Sequence, residues 1–265
     1  MKTKRDTQDM RPKVRHTLDK VGVTNIKTLV QTSWKGRTYK FVPKIELTID
    51  LPASRKGAHM SRLVEAITEA IEEGSRLTHY SLEALGKDIL AKLMTKHPFT
   101  SGEVTIQTDL VVFRKTPVTC KTTSETHEVT VKVSANKGRF KKTLTVKVTG
   151  NTVCPHSMEV SGRPHMQRAI GTLEIETSFE NMVDLEEMIR MVENSFSAKT
   201  YTLLKTPDEA EVVKTMHQNP KFVEDVCRDI IQAAKKFKHA KITAKATSQE
   251  SIHPHDVIAE ATTTT

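Results

Sequence analysis

The chain runs through one order of elements twice, and that repetition limits the folds open to it. From Thr38 to Leu51, the apolar residues Phe41, Ile45, Leu47, Ile49 and Leu51 alternate with polar ones over much of the stretch, as a half-buried strand requires. A polar turn, Pro52–Gly57, leads to a helical stripe of Leu63, Val64, Ile67, Ala70 and Ile71 that stops at Gly74. A second helix, Ser81 to Lys96, sets Leu82, Leu85, Ile89 and Leu93 on one face. Strands follow over Gly102–Lys115, Glu125–Ala135 and Lys141–Thr149, the last two joined by the hairpin signal Asn136-Lys137-Gly138.

The second half begins again with a strand, Arg168–Ser178. Asp184 opens a helix with Glu187 as its capping-box partner and Leu185, Met188, Ile189 and Val192 as its stripe. A short helix starts at Thr206, and a longer one after Asn219-Pro220 turns Phe222, Val223, Val226, Ile230 and Ile231 inward. Strands close the half at Lys241–Thr247 and Val257–Ala261, and the Thr262–Thr265 tail reads as frayed. The first 35 residues read as polar and irregular, with one strand near Asn25–Thr32. His59-Met60-Ser61-Arg62 returns as His165-Met166-Gln167-Arg168, 106 residues on. A duplication follows, with units at residues 1–150 and 151–265. Antiparallel strands with a helix pair on one face place the chain in the α+β class.

The net charge of +9 favours a polyanionic partner. An aromatic content of 5% and the lack of zinc-finger spacing argue against a nucleic-acid binder, whereas a small phosphorylated substrate fits equally well. No apolar run nears the roughly 20 residues that cross a bilayer. Three cysteines, Cys120, Cys154 and Cys227, argue against a disulfide framework and for a reducing cytoplasm.

Cys154-Pro155-His156, followed by His165 in a turn with Gly162 and Pro164, joins a thiolate to imidazoles. Borderline-soft divalent metals take those ligands, and the turn residues hold them rigidly. A loop with an incidental cysteine is the plainer alternative at this point.

Five blocks carry a resemblance that spans nearly the whole chain. They are Ile49–Arg62, Cys154-Pro155-His156-Ser157, Tyr201–Glu209, Asn219–Asp225 and Glu250-Ser251-Ile252-His253. In sequence and order they resemble the type IB GTP cyclohydrolases and their archaeal methanopterin-pathway relatives. The resemblance implies a tunnelling fold of two tandem ββααββ units and a cytoplasmic homo-oligomer with active sites at subunit interfaces. It implies hydrolysis at C8 of GTP with release of formate. One divalent metal per site would lower the pKa of water from about 15.7 towards about 7.

Residue by residue, Cys154, His165 and Glu209 resemble the metal ligands, with His253 a further ligand or proton shuttle. Glu250 resembles a general base or a partner for that imidazole. Glu224 matches the carboxylate that grips the purine edge, and Lys56, His59 and Arg62 are candidates for the triphosphate. Plainer readings stand beside these: Glu209 as a capping-box residue, Glu224 as a first-turn acid, His253 in a surface loop, His59 and Arg62 as helix-start surface. Many type IB members carry a second cysteine where His156 stands. With the N-terminal Asp6-Thr7-Gln8, His156 points to the archaeal branch, which implies iron(II), with zinc or manganese as the other candidates, and a 2′,3′-cyclic phosphate product formed with loss of diphosphate. The alternatives are a bacterial-type enzyme giving 7,8-dihydroneopterin triphosphate, and, in another class, a basic RNA-binding protein with a structural zinc site.

Overall fold

The computed structural model describes residues 6–34, 36–77 and 81–265. It resolves into two compact units. The first holds the chain up to Thr108 with Thr130–Thr143, the second Asp109–Val129 with Leu144–Thr265. The expected boundary at residue 150 therefore falls inside a strand.

In the first unit, β1 (Leu18–Lys27) pairs antiparallel with β4 (Lys44–Leu51), while β2 (Val30–Trp34) and β3 (Arg37–Phe41) form a separate hairpin. The strand expected near Asn25–Thr32 is thus the end of one strand and the start of another. Next in sequence come α1 (Met60–Gly74) and α2 (Leu82–Lys96). Ser81 caps α2 by accepting the Ala84 N–H at 3.2 Å. Leu63, Ala66, Ile67 and Ala70 of α1 and Leu85, Ile89 and Leu93 of α2 are buried, whereas Val64 is exposed, so the α1 stripe sits a little off the expected one. Full burial of each larger side chain is worth about 1.5–3 kcal/mol. The helices cover the face on which Ile45, Leu47 and Ile49 meet Ile106, Val104 and Gly102 of β5 (Ser101–Lys115). β6 (Thr122–Asn136) and β7 (Arg139–Val153) follow through a tight turn in which Lys137 and Gly138 both have positive φ, 47° and 77°, as the hairpin signal requires.

In the second unit, Cys154 is followed by α3 (Pro155–Ser161), a helix where the sequence pattern suggests only a turn. Then come β8 (Met166–Ser178), α4 (Leu185–Ser195), β9 (Ala198–Lys199), α5 (Thr206–Gln218), α6 (Val223–Ala234), β10 (Ala240–Ser248) and β11 (Val257–Thr264). β10 pairs antiparallel with β8, Ile242 opposite Ile175 and Ala244 opposite Leu173. α4 and α6 pack together and α6 lies on β10 and β11, burying Ile189, Val192, Val226 and Ile230. Phe196 passes directly over Gly150 and Gly171, where an added Cβ would stand 2.1 and 3.1 Å from its ring. Two glycines therefore let the end of α4 lie against β7 and β8.

Three expectations change here. The capping box at Asp184 does not close: its carboxylate accepts from Glu186 N–H, and Glu187 pairs with Lys236 instead. Phe222 is the residue before α6 and is exposed. The C-terminal tail is ordered, because Thr262–Thr264 pair with β10 and the Thr265 hydroxyl donates to Phe237 O at 2.6 Å. Among the described residues, no helix is long and apolar enough to cross a membrane.

Candidate active site

Local chemistry at the end of β7 creates the first part of the site. Cys154 precedes α3 in an extended conformation, and its Sγ accepts the Ser157 N–H at 3.4 Å. Pro155 suits the first helical position because its ring presets φ and no N–H is needed there. Gly162, with φ +64°, ends the helix, and its N–H donates to Met158 O. The chain then doubles back, so that Cys154 N–H donates to His165 O at 3.2 Å.

Strand pairing adds the second part. His165 Nδ1 lies 2.9 Å from Gln167 Oε1 and 3.8 Å from Glu250 Oε2. Gln167 Nε2 donates to Glu250 Oε1 at 3.3 Å, and the Ser248 hydroxyl donates to the same oxygen at 2.8 Å. Gln249 N–H donates to Arg168 O, fixing the Glu250 segment beside β8. A carbonyl oxygen facing Nδ1 makes that nitrogen the N–H, so Nε2 carries the lone pair, as a metal ligand needs. A cysteine sulfur and this imidazole nitrogen are donor types that suit a borderline divalent ion. Gln167 was not singled out from the sequence, although alternate residues of a strand share a face and the signal was there.

The other expected ligands do not join this cluster within one chain. Glu209 is exposed on the first turn of α5, and His253 is exposed in the loop after β10 with its ring stacked on His255 at 5.1 Å. Among the described residues, the group of three ligating side chains whose atoms lie within 4.8 Å of one another is Asp6, Asp9 and His59. The capping explanation for Glu209 fails, however. Asp208 takes that role, accepting the Lys205 N–H at 3.1 Å. Asp208 is fully buried and also accepts the Thr119 hydroxyl at 2.6 Å and the N–H groups of Thr119 and Val118. Burial alone would raise its pKa; these four donors outweigh burial and hold the carboxyl well below the ordinary carboxylate range.

Glu224 is exposed on the first turn of α6, where Asp225 rather than Glu224 accepts the Phe222 N–H. Lys221 N–H donates to Val153 O at 3.0 Å, which sets the start of α6 beside the residue before Cys154. In the first unit, Lys56 is exposed, and Arg62 is half-buried with Nη1 donating to Lys96 O. His59 precedes α1 and is buried, not helix-start surface.

The second unit also has a cavity of about 220 Å³ lined in part by Glu193, Ser197, Lys199 and Tyr201. Burial opposes the charge on Glu193, but His127, Arg114 and Lys199 around it hold its carboxyl below the ordinary range.

The antiparallel α+β fold brings a cysteine, a histidine and a carboxylate to the strand ends, and the comparisons show the family. A family model described as type I GTP cyclohydrolase folE2 matches residues 5–259. The chain is 52% identical to the GTP cyclohydrolase MptA of Thermococcus kodakarensis, covering 96% of this chain and 98% of that one. It is 50% identical to the Pyrococcus furiosus GTP cyclohydrolase MptA over the same shares, and 34% identical to that of Methanococcoides burtonii over 96% and 92%. Among solved structures it is similar to a uricase from Arthrobacter globiformis, with a TM-score of 0.52, 11% identity and 93% of each chain covered. At that identity the likeness concerns the fold alone, and it bears out the tunnelling fold. The chain belongs to the type I GTP cyclohydrolase family and is an enzyme of that class. The reading as an RNA-binding protein with a structural zinc site is set aside.

Proposed function

We propose that the chain opens the guanine ring of GTP at C8 and releases formate, with Cys154, His165 and Glu250 at the centre of the site. The observation that carries this reading is the Cys154–His165 pairing, with Gln167 occupying Nδ1 of the imidazole. Cys154 and His165 would hold one divalent ion, iron(II) favoured and zinc or manganese possible, with Glu209 and His253 as further ligands. Bound there, the ion would supply Lewis acidity and bring water's pKa towards neutrality. Glu250 lies 3.8 Å from His165 Nδ1, which supports a role in orienting that ring or accepting a proton from water. Glu224 would accept two hydrogen bonds from the N–H and NH₂ of guanine, and Lys56, His59 and Arg62 would hold the triphosphate.

The exposure of Glu209, Glu224 and His253 supports a homo-oligomer in which a second copy completes each site, and the enzyme would work in the cytoplasm. The names of the archaeal relatives support the methanopterin branch, in which a ribose hydroxyl attacks the α-phosphorus and diphosphate leaves. The product would then be 7,8-dihydroneopterin 2′,3′-cyclic phosphate. Anaerobic reaction of the iron(II)-loaded protein with GTP tests both steps. Formate with an equal amount of diphosphate is the expected result, formate alone assigns the triphosphate product, and no formate refutes the reading.

A further inference from the structure

The first unit holds a set of ligands of which the GTP reading uses only His59. The 3-10 turn Thr7–Asp9 is docked on the Pro52–Gly57 turn, because the N–H groups of Lys56 and Gly57 both donate to Gln8 O, at 3.0 and 3.2 Å. Docking sets Asp6 and Asp9 beside His59, whose side chain is only 8% exposed. His59 Nε2 stands 3.6 Å from Asp9 Oδ1, and Nδ1 stands 3.9 Å from Asp6 Oδ2. Nε2 is buried and has no hydrogen-bond partner among the described residues. Leaving it so costs desolvation that no hydrogen bond among them offsets.

The spacing itself separates two explanations. An imidazolium paired with carboxylates closes to about 2.7–2.9 Å. Oxygen and nitrogen ligands sharing an ion at about 2.0–2.2 Å stand roughly 3–3.5 Å apart. At 3.6 Å from Nε2, the Asp9 oxygen stands close to the ion's spacing and well outside the ion pair's, and one nitrogen of His59 and one oxygen of each aspartate lie within 4.8 Å of one another. We propose that Asp6, Asp9 and His59 form a divalent-cation site, separate from the cluster at Cys154 and His165. Two carboxylates and one imidazole suit manganese(II), iron(II) or zinc.

The surroundings bear on its affinity. His97 meets the His59 ring edge-on at 5.8 Å, and its Nδ1 faces Pro98 O at 3.0 Å. Burial, with Arg55, His59 and Arg62 nearby, lowers its pKa and favours the neutral ring, so it adds little charge against an ion. Arg55 Nη1, 3.7 Å from Asp9 Oδ1, competes for that carboxylate. The ion would pin the N-terminal turn to the start of α1. On the GTP reading, and only on it, a phosphate oxygen would complete the coordination.

Counting bound manganese tests the site without nucleotide, so the outcome does not depend on turnover. Chelator-stripped full-length protein is titrated with Mn²⁺ and the free ion is followed by electron paramagnetic resonance. Asp9→Asn and Asp6→Asn are each expected to bind about one Mn²⁺ fewer per chain than the parent, or to bind it at least tenfold more weakly. Their loss should add to that of Cys154→Ser in the combined variant, and Arg55→Gln should tighten the same ion. Hydrogen exchange at the Lys56 and Gly57 amides should slow on Mn²⁺ addition in the parent and not in Asp9→Asn. Unchanged Mn²⁺ stoichiometry and affinity in both aspartate variants, or an ion lost only with Cys154→Ser, overturns the proposal.

Discussion

Cys154 donates its backbone N–H to the carbonyl of His165, eleven residues on, at 3.2 Å. This one bond closes the loop around α3 and sets the backbones of Cys154 and His165 side by side where β7 ends and β8 begins.

Metal dependence can be tested without disturbing that loop. Cys154→Ser keeps an oxygen to accept the Ser157 N–H, since serine is a favoured helix cap. The variant should keep its melting temperature within a few degrees, lose most of the ion bound at this cluster and lose GTP turnover. Chelation of the parent should do the same, with formate release as the readout. Full activity in chelated protein would contradict the metal assignment.

Gln167 acts through His165. Gln167→Met removes the acceptor that selects the Nδ1–H tautomer, and losing such an outer partner typically costs about 10–100-fold in metal affinity. Competition with a chelator should show that loss while thermal stability changes little. An equal loss of stability and affinity would make Gln167 merely structural.

If Glu224 grips the purine edge as proposed, Glu224→Gln exchanges an acceptor for a group that turns an N–H towards the donors of guanine. Breaking a charged hydrogen-bond pair of this kind costs about 2–5 kcal/mol, so kcat/KM for GTP should fall by more than tenfold. A change within about twofold would remove Glu224 from the purine site.

Asp208 predicts a pH dependence of stability. Its carboxyl titrates well below the ordinary value of 3.8 in the folded protein, so the ionised form is favoured by folding. The stabilisation is therefore fully present above the unfolded pKa and is lost as pH falls below it towards the folded one. Urea unfolding of the parent and of Asp208→Asn should show a constant difference from pH 7 to about pH 5, with the parent more stable. The gap should shrink below about pH 4. A gap that widens in acid would show the sign to be wrong.

Much of the fold was legible in the sequence because its signals are local. The alternation of Ile45, Leu47 and Ile49, the stripe of Leu85, Ile89 and Leu93 and the Lys137-Gly138 turn each depend on neighbours a few residues away, and each appears as expected. The misread stretches depend on distant partners. The threonine tail is ordered only because β10 offers it a free edge, and Phe222 is exposed because Asp225 caps its N–H and turns α6 without it.

For the site, the sequence by itself determined which side chains are available: a thiol at Cys154, imidazoles at His165 and His253, carboxylates at Glu209, Glu224 and Glu250. Only the tertiary structure decided which of them meet. The pairing of β8 with β10 carries Glu250 to Gln167, and the turn around Gly162 carries His165 to Cys154. Docking of Gln8 on the turn before α1 likewise brings two aspartates to a buried histidine. Residue type is a local property of the chain, whereas convergence requires register and chain return, which are set by contacts across many tens of residues.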